Sequence, residues 1–443
     1  MSNAKPSATG ASRGTIGVVL LTVFLDMVGF SILFPIFPKM LDHYLLLEGA
    51  DSAIGALAHR LGELAGHDKN AVQTLFGAVL GSIYALLQFL FAPVWGGLSD
   101  RIGRRPTLLV TLTGTFLGYV LWIFSGSFWL LIVSRLVCGM CSGNISTASA
   151  VVADVTEGKD RARGMGLVGM SIGLGFIFGP AVCGVALEYA PLSERAWSSG
   201  LALNPFSSLA LLSALLALIN LLWIGLRFRE TLAPERRGTS HHARVLNPFA
   251  QMRRLQFPGV ARTNLVTFLF LAAFSGMEFT LTFLAAERLG YAPGDMIALF
   301  VYSGLLIALV QGGFVRRMAP RLGEKKVAIL GLVILVPGFA GVGLAYSAGL
   351  LYAGLGLMAV GSALTMPCVS SLASRYAPAD RQGLALGTNR SMMALARALG
   401  PVAAGAIYWK FGSTAAYLVA AAISVLPVYF ATGLPPLPSV EPA

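Results

Sequence analysis

The chain has 443 residues, of which 56% are hydrophobic and only 12% charged, and its mean hydropathy is +0.74. A soluble globular protein is roughly a quarter charged, so this composition excludes a soluble globular protein and a disordered one. The 32 Lys and Arg residues against 20 Asp and Glu give a formal charge of +12, which suggests either nucleic acid binding or the basic cytoplasmic loops of a membrane protein.

The apolar residues form twelve runs, each long enough to cross a bilayer as a helix, because a span needs about 20 residues. The runs cover residues 14–40, 72–98, 107–126, 128–153, 162–187, 204–226, 263–286, 294–315, 327–347, 349–374, 382–407 and 412–433. Gly and Ala are frequent in them and let helix backbones approach closely in a membrane. The sequence therefore predicts an all-α membrane protein with twelve transmembrane helices and no large soluble domain.

Two connections are longer than the rest. The polar, basic stretch 227–262 separates the first six runs from the last six, so we predict a linker between an N-terminal bundle, 14–226, and a C-terminal bundle, 263–433. On the other side, loop 42–71 contains AIGALAHRLGELAG, which has a helical apolar period but is too short and too charged to span. We expect a surface helix there, lying over the first two spans.

The basic residues indicate the sides of the membrane. Most of them lie in the linker and in other connections on the side of the two tails, 1–13 and 434–443. The opposite loops contain only Lys39, Arg60, Lys69, Arg195, Arg288 and Lys410. Because cytoplasmic loops are enriched in Lys and Arg, both termini are predicted to be cytoplasmic, and the basic composition is explained without nucleic acid.

The two halves repeat. GGLSDRIGRR after the second run has a degraded counterpart, GGFVRRMAPRLGEKK, after the eighth, and Gly179-Pro180 in the fifth run corresponds to Gly400-Pro401 in the eleventh. Parallel repeats of six helices are an organisation of transporters, in which the substrate site lies between the halves near the bilayer midplane. The sequence predicts two pseudo-symmetric six-helix bundles.

Four segments of the first half resemble a known family. GGLSDRIGRRP at 96–106 resembles the loop signature between spans two and three of the major facilitator superfamily. LDMVG at 25–29, Arg135 with Gly139, and GFIFGPAVCG at 175–184 are similar to its twelve-span drug:proton antiporters, and in particular to tetracycline-efflux proteins. The second half, with SGMEFTLTFL and RSMMALARALGP, is more similar to animal tetracycline transporter-like proteins, which are associated with organic-anion efflux, than to bacterial tetracycline pumps.

The loop signature predicts a gate. Gly97 removes a side chain where two helices pass closely, and Asp100 can accept hydrogen bonds from a helix N-terminus or pair with a nearby arginine. The resemblance implies a latch that stabilises the outward-open state through the start of span eleven, near Arg381, and the end of span four. Its predicted members are Gly97, Asp100, Arg101, Gly103, Arg104, Arg105 and Asp154. The alternative is a plain basic turn.

Span five carries the antiporter motif of the family, here Gly175, Gly179, Pro180 and Gly184. A proline removes one backbone hydrogen bond and kinks a helix, and nearby glycines accommodate the bend. The resemblance implies a seal against leakage, and the alternative is a kink needed only for packing. Cys183 departs from the glycine that the family usually has at this position.

Ionisable residues at membrane depth are costly and therefore mark functional sites. There are five of them: Asp26, Arg135, Glu278, Arg390 and Arg397. Asp26 and Glu278 are predicted proton carriers, with a permanent ion pair to an arginine as the alternative. The resemblance assigns Arg135 to proton transfer or to a structural pairing.

Arg390 and Arg397 are seven residues apart and so face nearly the same way on a helix. Two stacked guanidinium groups would bind an organic anion well, although they could instead only neutralise the two acids. Polar and aromatic residues that could complete a substrate cavity, or merely pack between helices, are Tyr84, Gln88, Asn144, Gln311, Phe279 and Phe283.

No metal or nucleotide chemistry is indicated. Cys138 and Cys141 lie on a Gly-rich apolar helix and are interpreted as packing residues, and His241 and His242 have no ligand cluster beside them. GxxxxGK[ST] and HExxH motifs are absent from the sequence. An ATP-driven pump and an enzyme are therefore not expected.

The sequence thus predicts a monomeric, multi-pass transporter that needs a proton gradient and no cofactor. Its partners would be a small-molecule substrate and the lipid bilayer. By alternating access it would export small amphipathic molecules, organic anions or drugs, in exchange for protons. The alternatives are an uncoupled facilitator, a carrier of lysolipid-like substrates, or a non-transporting receptor on the same fold. A bacterial inner membrane is the expected location, with a eukaryotic plasma or organelle membrane as the alternative.

Overall fold

The computed structural model describes residues 8–33, 36–64, 69–156, 160–189, 195–198, 201–234, 257–291, 293–378 and 381–437. The N-terminal half contains α1 Ala8–Ser31, α2 Phe37–Glu48, α3 Ala53–Leu64, α4 Lys69–Ile102, α5 Arg104–Ile123, α6 Phe128–Met140, α7 Asn144–Val155, α8 Asp160–Tyr189 and α9 Ser207–Arg227. Between α8 and α9 lies a short antiparallel hairpin, β1 Arg195–Ser198 and β2 Leu201–Leu203, which the sequence did not predict.

The C-terminal half contains α10 Pro258–Leu289, α11 Pro293–Leu309, a π-helical turn Val310–Val315, α12 Arg316–Leu322, α13 Glu324–Gly343, α14 Ala348–Arg375, α15 Gln382–Phe411, α16 Ser413–Ile423 and α17 Val425–Thr432. Most of the predicted linker, the terminal residues 1–7 and 438–443, and the loop histidines lie outside the described residues.

Eleven segments of the described chain are long and apolar enough to cross a membrane. They fall on eleven of the twelve predicted spans. The remaining span, predicted at 162–187, falls on α8, whose 30 residues exceed the length that a crossing needs. The protein is thus an all-α membrane protein, as predicted.

Two predicted spans end or break earlier than their apolar runs. The first helix ends at Ser31, and residues 37–40 belong to α2, because Pro35 and Pro38 lack the amide donors that a continuous helix would need. The last span is divided at Ser424, since Pro427 cannot donate to the carbonyl of Ile423.

Spans four and eight are interrupted near their middle. Span four consists of α6 and α7, separated at residues 141–143, and Trp95 fills the break by donating its indole N–H to Met140 O at 2.6 Å. A Cβ on Gly143 would lie 2.5 Å from Trp95 Cγ, so only glycine allows this approach. Span eight contains the π-helical turn at Gly312 and Gly313, weak helix formers that tolerate the extra residue.

Loop 42–71 covers one end of the N-terminal half. Its expected helix is present as α3, which packs against α2 and α4. At the start of α6, Phe128 N donates to Glu48 Oε1 at 2.6 Å, and Tyr44 donates its hydroxyl to Ser125 O at 2.8 Å. Burial raises the pKa of Tyr44 to about 12, so this hydroxyl remains a donor.

The two halves have the same loop geometry after spans two and eight. Gly103 and Gly323 both have positive φ angles, +107° and +85°. The next residue is Arg104 in one half, paired with Asp154, and Glu324 in the other, paired with Arg375 at 2.7 Å. Both halves therefore have an ion pair at this place, but the residue after the glycine is the cation in the first half and the acid in the second.

Candidate functional site

The halves meet on the side of the loops around Gly103 and Gly323, here called the basic side. There α4 packs along α15 so closely that a Cβ on Gly96 would lie 2.3 Å from Gly383 O. The sequence predicted this role for Gly97, but a Cβ there would make only ordinary contact with Leu384 at 3.7 Å. The close approach thus belongs to Gly96, one residue earlier, and this corrects the prediction.

Asp100 joins the two halves. Its carboxylate accepts hydrogen bonds from Gly383 N at 3.0 Å and Leu384 N at 2.8 Å, the first amides of α15. The same carboxylate pairs with the buried Arg104 at 2.5 Å. A carboxylate at a helix N-terminus is favoured by the orphan amides and the helix dipole, so Asp100 is well placed to hold this side closed.

Arg104 extends this network to span four, because its Nε lies 2.8 Å from Asp154 Oδ2. Arg105 donates to Gly225 O at 2.6 Å and so satisfies the end of α9. Arg101 is exposed. Of the predicted gating residues, the structure brings Asp100, Arg104 and Asp154 into one buried cluster and leaves Arg101 outside it.

Glu230, which the sequence interpretation missed, completes the loop. Its carboxylate accepts from Arg104 N at 2.9 Å and Arg105 N at 3.0 Å, and so caps α5. A Cβ on Gly103 would lie 2.4 Å from Glu230 Oε2, and Thr231 donates its hydroxyl to Asp154 at 3.2 Å. The available signal was an acid directly after the sixth span, flanked by Arg227 and Arg229 in a mostly basic stretch.

A second contact between the halves involves α8. A Cβ on Gly169 would lie 2.6 Å from Gln311 Oε1, at the π-helical turn, and Arg161 donates to Ser374 Oγ at 3.4 Å. Gln311 is buried at this contact. The predicted cavity residue therefore packs between the halves on the basic side.

Asp26 lies beside the break in span four. Asn144, the first residue of α7, donates its side-chain N–H to Asp26 Oδ1 at 3.0 Å. Broken helices near the midplane direct half-helix termini at charged groups in transporters. The predicted proton site and the predicted substrate residue Asn144 are thus in direct contact.

Tyr84 connects this site with the other half, because it lies within electrostatic range of both Asp26 and Arg397. Arg397 is also within range of Glu278, although the two make no direct ion pair among the described residues. The Glu278 side chain is exposed in the middle of α10. Four of the predicted groups therefore share the region between the halves.

Arg390 lies nearer the basic side than Arg397. It approaches Ser149 Oγ of α7 at 3.5 Å and Met393 Sδ at 3.6 Å. Arg390 therefore contacts the N-terminal half at the end of this region that lies nearer the basic side.

The remaining predicted cavity residues lie on α4 and α10. Phe279 and Phe283 stack edge to face with centroids 5.8 Å apart, and Phe283 extends this group to Tyr408 and Trp409. Gln88 is half-buried on α4.

Arg135 lies within electrostatic range of Tyr84, but its direct contacts are with other groups. It is 4% exposed, donates to Ser134 Oγ, and stacks on Trp122 with its Cζ 4.9 Å from the ring centroid. Within the described part of the chain it forms no ion pair with a carboxylate. A cation–π contact of this kind stabilises a buried guanidinium and favours the structural interpretation of Arg135.

The glycines of span five pack on α1. A Cβ on Gly175 would lie 2.4 Å from Met27 Cβ, and one on Gly179 would lie 2.0 Å from Ser31 Oγ. Ser31 donates its hydroxyl to Gly175 O at 2.9 Å. Pro180 and Gly184 lie in α8, with their side-chain positions outside the described part, so the structure leaves the proposed seal a prediction.

The cysteines of span four face glycines of α5. A Cβ on Gly118 would lie 2.4 Å from Cys138 Sγ, and one on Gly114 would lie 2.1 Å from Cys141 Sγ. In the described residues no group of His, Cys, Asp and Glu could hold a metal ion. Both cysteines therefore act as packing residues.

The site combines a closed basic side with acids and arginines between two repeated halves, which defines a secondary transporter. The family model of the Major Facilitator Superfamily matches residues 19–322 and 313–443. The chain belongs to this family of membrane transporters and is not an enzyme. Its substrate is a small molecule and its environment the lipid bilayer.

Individual relatives sharpen this assignment. The chain is 35% identical over 440 residues to major facilitator superfamily domain-containing protein 10 of Bos taurus, covering 93% of this chain and 91% of that protein. It is 29% identical over 416 residues to the class C tetracycline resistance protein of Escherichia coli, covering 93% and 95%. The crystal structure of the human organic anion transporter MFSD10 has a TM-score of 0.86 at 31% identity and covers 96% of this chain and 100% of that one. The predicted superfamily and the likeness to tetracycline-efflux proteins are confirmed.

Proposed function

We propose that this protein is a proton-coupled antiporter that exports small amphipathic organic anions. The observation that carries the proposal is the placement of Asp26 and Arg397 near Tyr84, between the two halves, with Glu278 near Arg397. Carboxylates at membrane depth can carry protons, and a guanidinium can bind an anionic group. The likeness to a human organic anion transporter supports the choice of substrate class.

The closed basic side fits one step of such a cycle. If both termini are cytoplasmic, as the distribution of basic residues indicates, the Asp100 contact closes the cytoplasmic side. The region around Asp26 and Arg397 then faces the opposite compartment. In this outward-facing state protons can bind the carboxylates and substrate can leave, which is the order that export requires.

Proteoliposomes test the proposal directly. The purified protein is reconstituted into acid-loaded vesicles with the membrane potential clamped, and uptake of a fluorescein-type organic anion is followed. If one proton exchanges per substrate, accumulation should be about tenfold for each pH unit of gradient. Equal flux with and without the gradient would indicate a facilitator, and absence of flux for anions, cations and lysolipids alike would indicate a receptor.

Arg397→Ala tests the anion site. A hydrogen bond to a charged group contributes about 1.5–3 kcal/mol, so KM for the fluorescein-type anion should rise by roughly one to two orders of magnitude. Transport of a rhodamine-type cation should change much less, and Arg397→Lys should restore part of the affinity. An equal loss for anion and cation would assign Arg397 a structural role instead.

A further inference from the structure

A cluster of cations follows span eight and takes no part in the contact between the halves. Arg316, Arg317, Arg321 and Lys326 are all exposed, and we call them the Arg316–Lys326 surface. Across the described ranges, no ion pair or hydrogen bond joins their side chains to another group. Four like charges are thus placed within eleven residues, and the described part of the chain gives them no partner.

The repeated loop of the N-terminal half shows how unusual this is. There Arg104 is paired with Asp100 and Asp154, and Arg105 caps the end of α9. With the two Gly-Gly pairs of the repeat aligned, Arg316 stands at the position of Asp100, the carboxylate that accepts hydrogen bonds from α15. The C-terminal half therefore has a cation at the position where its counterpart has the acid that joins the two halves.

In the loop after span eight, the acid and the nearby carbonyl are already hydrogen-bonded to other groups. The Glu324 carboxylate is buried and accepts hydrogen bonds from Arg375 and Ser371. Lys325 donates to Leu434 O at 2.6 Å. Nothing of opposite charge in this loop is left for the Arg316–Lys326 surface. The described part of the chain thus leaves this surface open to an external anion.

The surface lies directly at the edge of the apolar band. Leu309 and Phe314, seven and two residues before Arg316, are 60% and 63% exposed, and Leu322 is 49% exposed. A Cβ on Gly313 would meet nothing within 4 Å, so the helix is open on this face. In a membrane protein such apolar residues contact lipid chains, and the adjacent cations lie at headgroup level.

We propose that the Arg316–Lys326 surface is a binding site for the headgroup of an anionic phospholipid. The phosphate lies over Arg316 and Arg317, which can form bidentate hydrogen bonds with it, and the acyl chains follow Phe314 and Leu309 along α11. Arg321 and Lys326 add attraction for the negative headgroup. The lipid would neutralise charges of span eight, the helix that touches α8 of the other half at Gln311.

The triple variant R316Q/R317Q/R321Q tests the site, with lipid binding measured by native mass spectrometry. Phosphatidylglycerol is titrated into detergent-solubilised protein, with phosphatidylcholine as the zwitterionic comparison. Each Lys or Arg near an anionic membrane adds to the attraction for the negative headgroup, so the variant should bind phosphatidylglycerol about tenfold to a hundredfold more weakly. Its weak binding of phosphatidylcholine should not change.

The chain offers a charge-matched control on its opposite side. Lys39, Arg60 and Lys410 are also exposed, and K39Q/R60Q/K410Q removes the same three charges. This control should bind phosphatidylglycerol like the unmodified protein. The proposal is overturned if the two triple variants lose affinity equally, or if R316Q/R317Q/R321Q binds as well as the unmodified protein. Because the readout is lipid binding, it is independent of whether transport is proton-coupled.

Discussion

Asp26→Asn is expected to abolish proton-driven accumulation of substrate while leaving downhill exchange measurable. The amide keeps the size of the side chain but cannot gain or lose a proton, so the cycle no longer links proton movement to substrate movement. In acid-loaded vesicles the accumulation ratio should fall from about tenfold for each pH unit to about one. Exchange of labelled for unlabelled anion at equal pH measures the retained activity.

Asn144→Ala is the matched control for this variant. Asn144 donates the hydrogen bond that Asp26 accepts at 3.0 Å, so the change removes the contact and keeps the carboxylate. Coupling should persist with altered rates. A fully coupled Asp26→Asn protein would remove Asp26 from the carrier role.

Glu278 needs its own comparison because its surroundings differ. It is exposed on α10 and within electrostatic range of Arg397, whereas Asp26 is hydrogen-bonded to Asn144. If both acids carry protons, Glu278→Gln should weaken coupling and the double variant should lose it. Wild-type coupling in Glu278→Gln would make Glu278 the electrostatic partner of Arg397.

The general architecture was predictable from the sequence because membrane spans leave a strong periodic signal. Apolar runs of sufficient length located every span, and the repeated GG motifs located the two halves. The break in span four was not predictable, since it depends on Trp95 inserting where only Gly143 leaves space. The contact of Gln311 with Gly169 likewise brings together helices that are distant in the sequence.

The site residues show the same division. Asp26, Arg397 and Asp100 could be identified because charge at membrane depth or in a known motif is informative by itself. Glu230 could not, because its role depends on the chain returning to cap α5. The choice between Gly96 and Gly97 required knowing which face of α4 meets α15. Pattern identifies the chemistry, whereas tertiary contacts decide which neighbouring residue performs it.

Asp100→Asn is expected to open the basic side. The carboxylate accepts two amide hydrogen bonds from α15 and pairs with Arg104. Charge-assisted hydrogen bonds contribute about 1.5–3 kcal/mol each, and the amide replaces them only partly, so the balance should shift toward the open form by about tenfold to a hundredfold. Substrate turnover should slow because the state closed on the basic side becomes scarce.

Labelling of a single cysteine can measure this shift. Leu384 faces Gly97 across the contact, so Leu384→Cys, in a background with the four native cysteines replaced by Ser, should react with a maleimide only when the halves separate. Asp100→Asn should accelerate the reaction. Glu230→Gln is the matched control, because Glu230 caps α5 in the same loop without a described hydrogen bond to the other half. It should disturb the loop and leave labelling slow.

Comparable acceleration in both variants, with unchanged elution on size exclusion, would place the latch in the loop as a whole. Unchanged labelling and turnover in Asp100→Asn would show that the packing of Gly96 against Gly383 closes this side without the carboxylate.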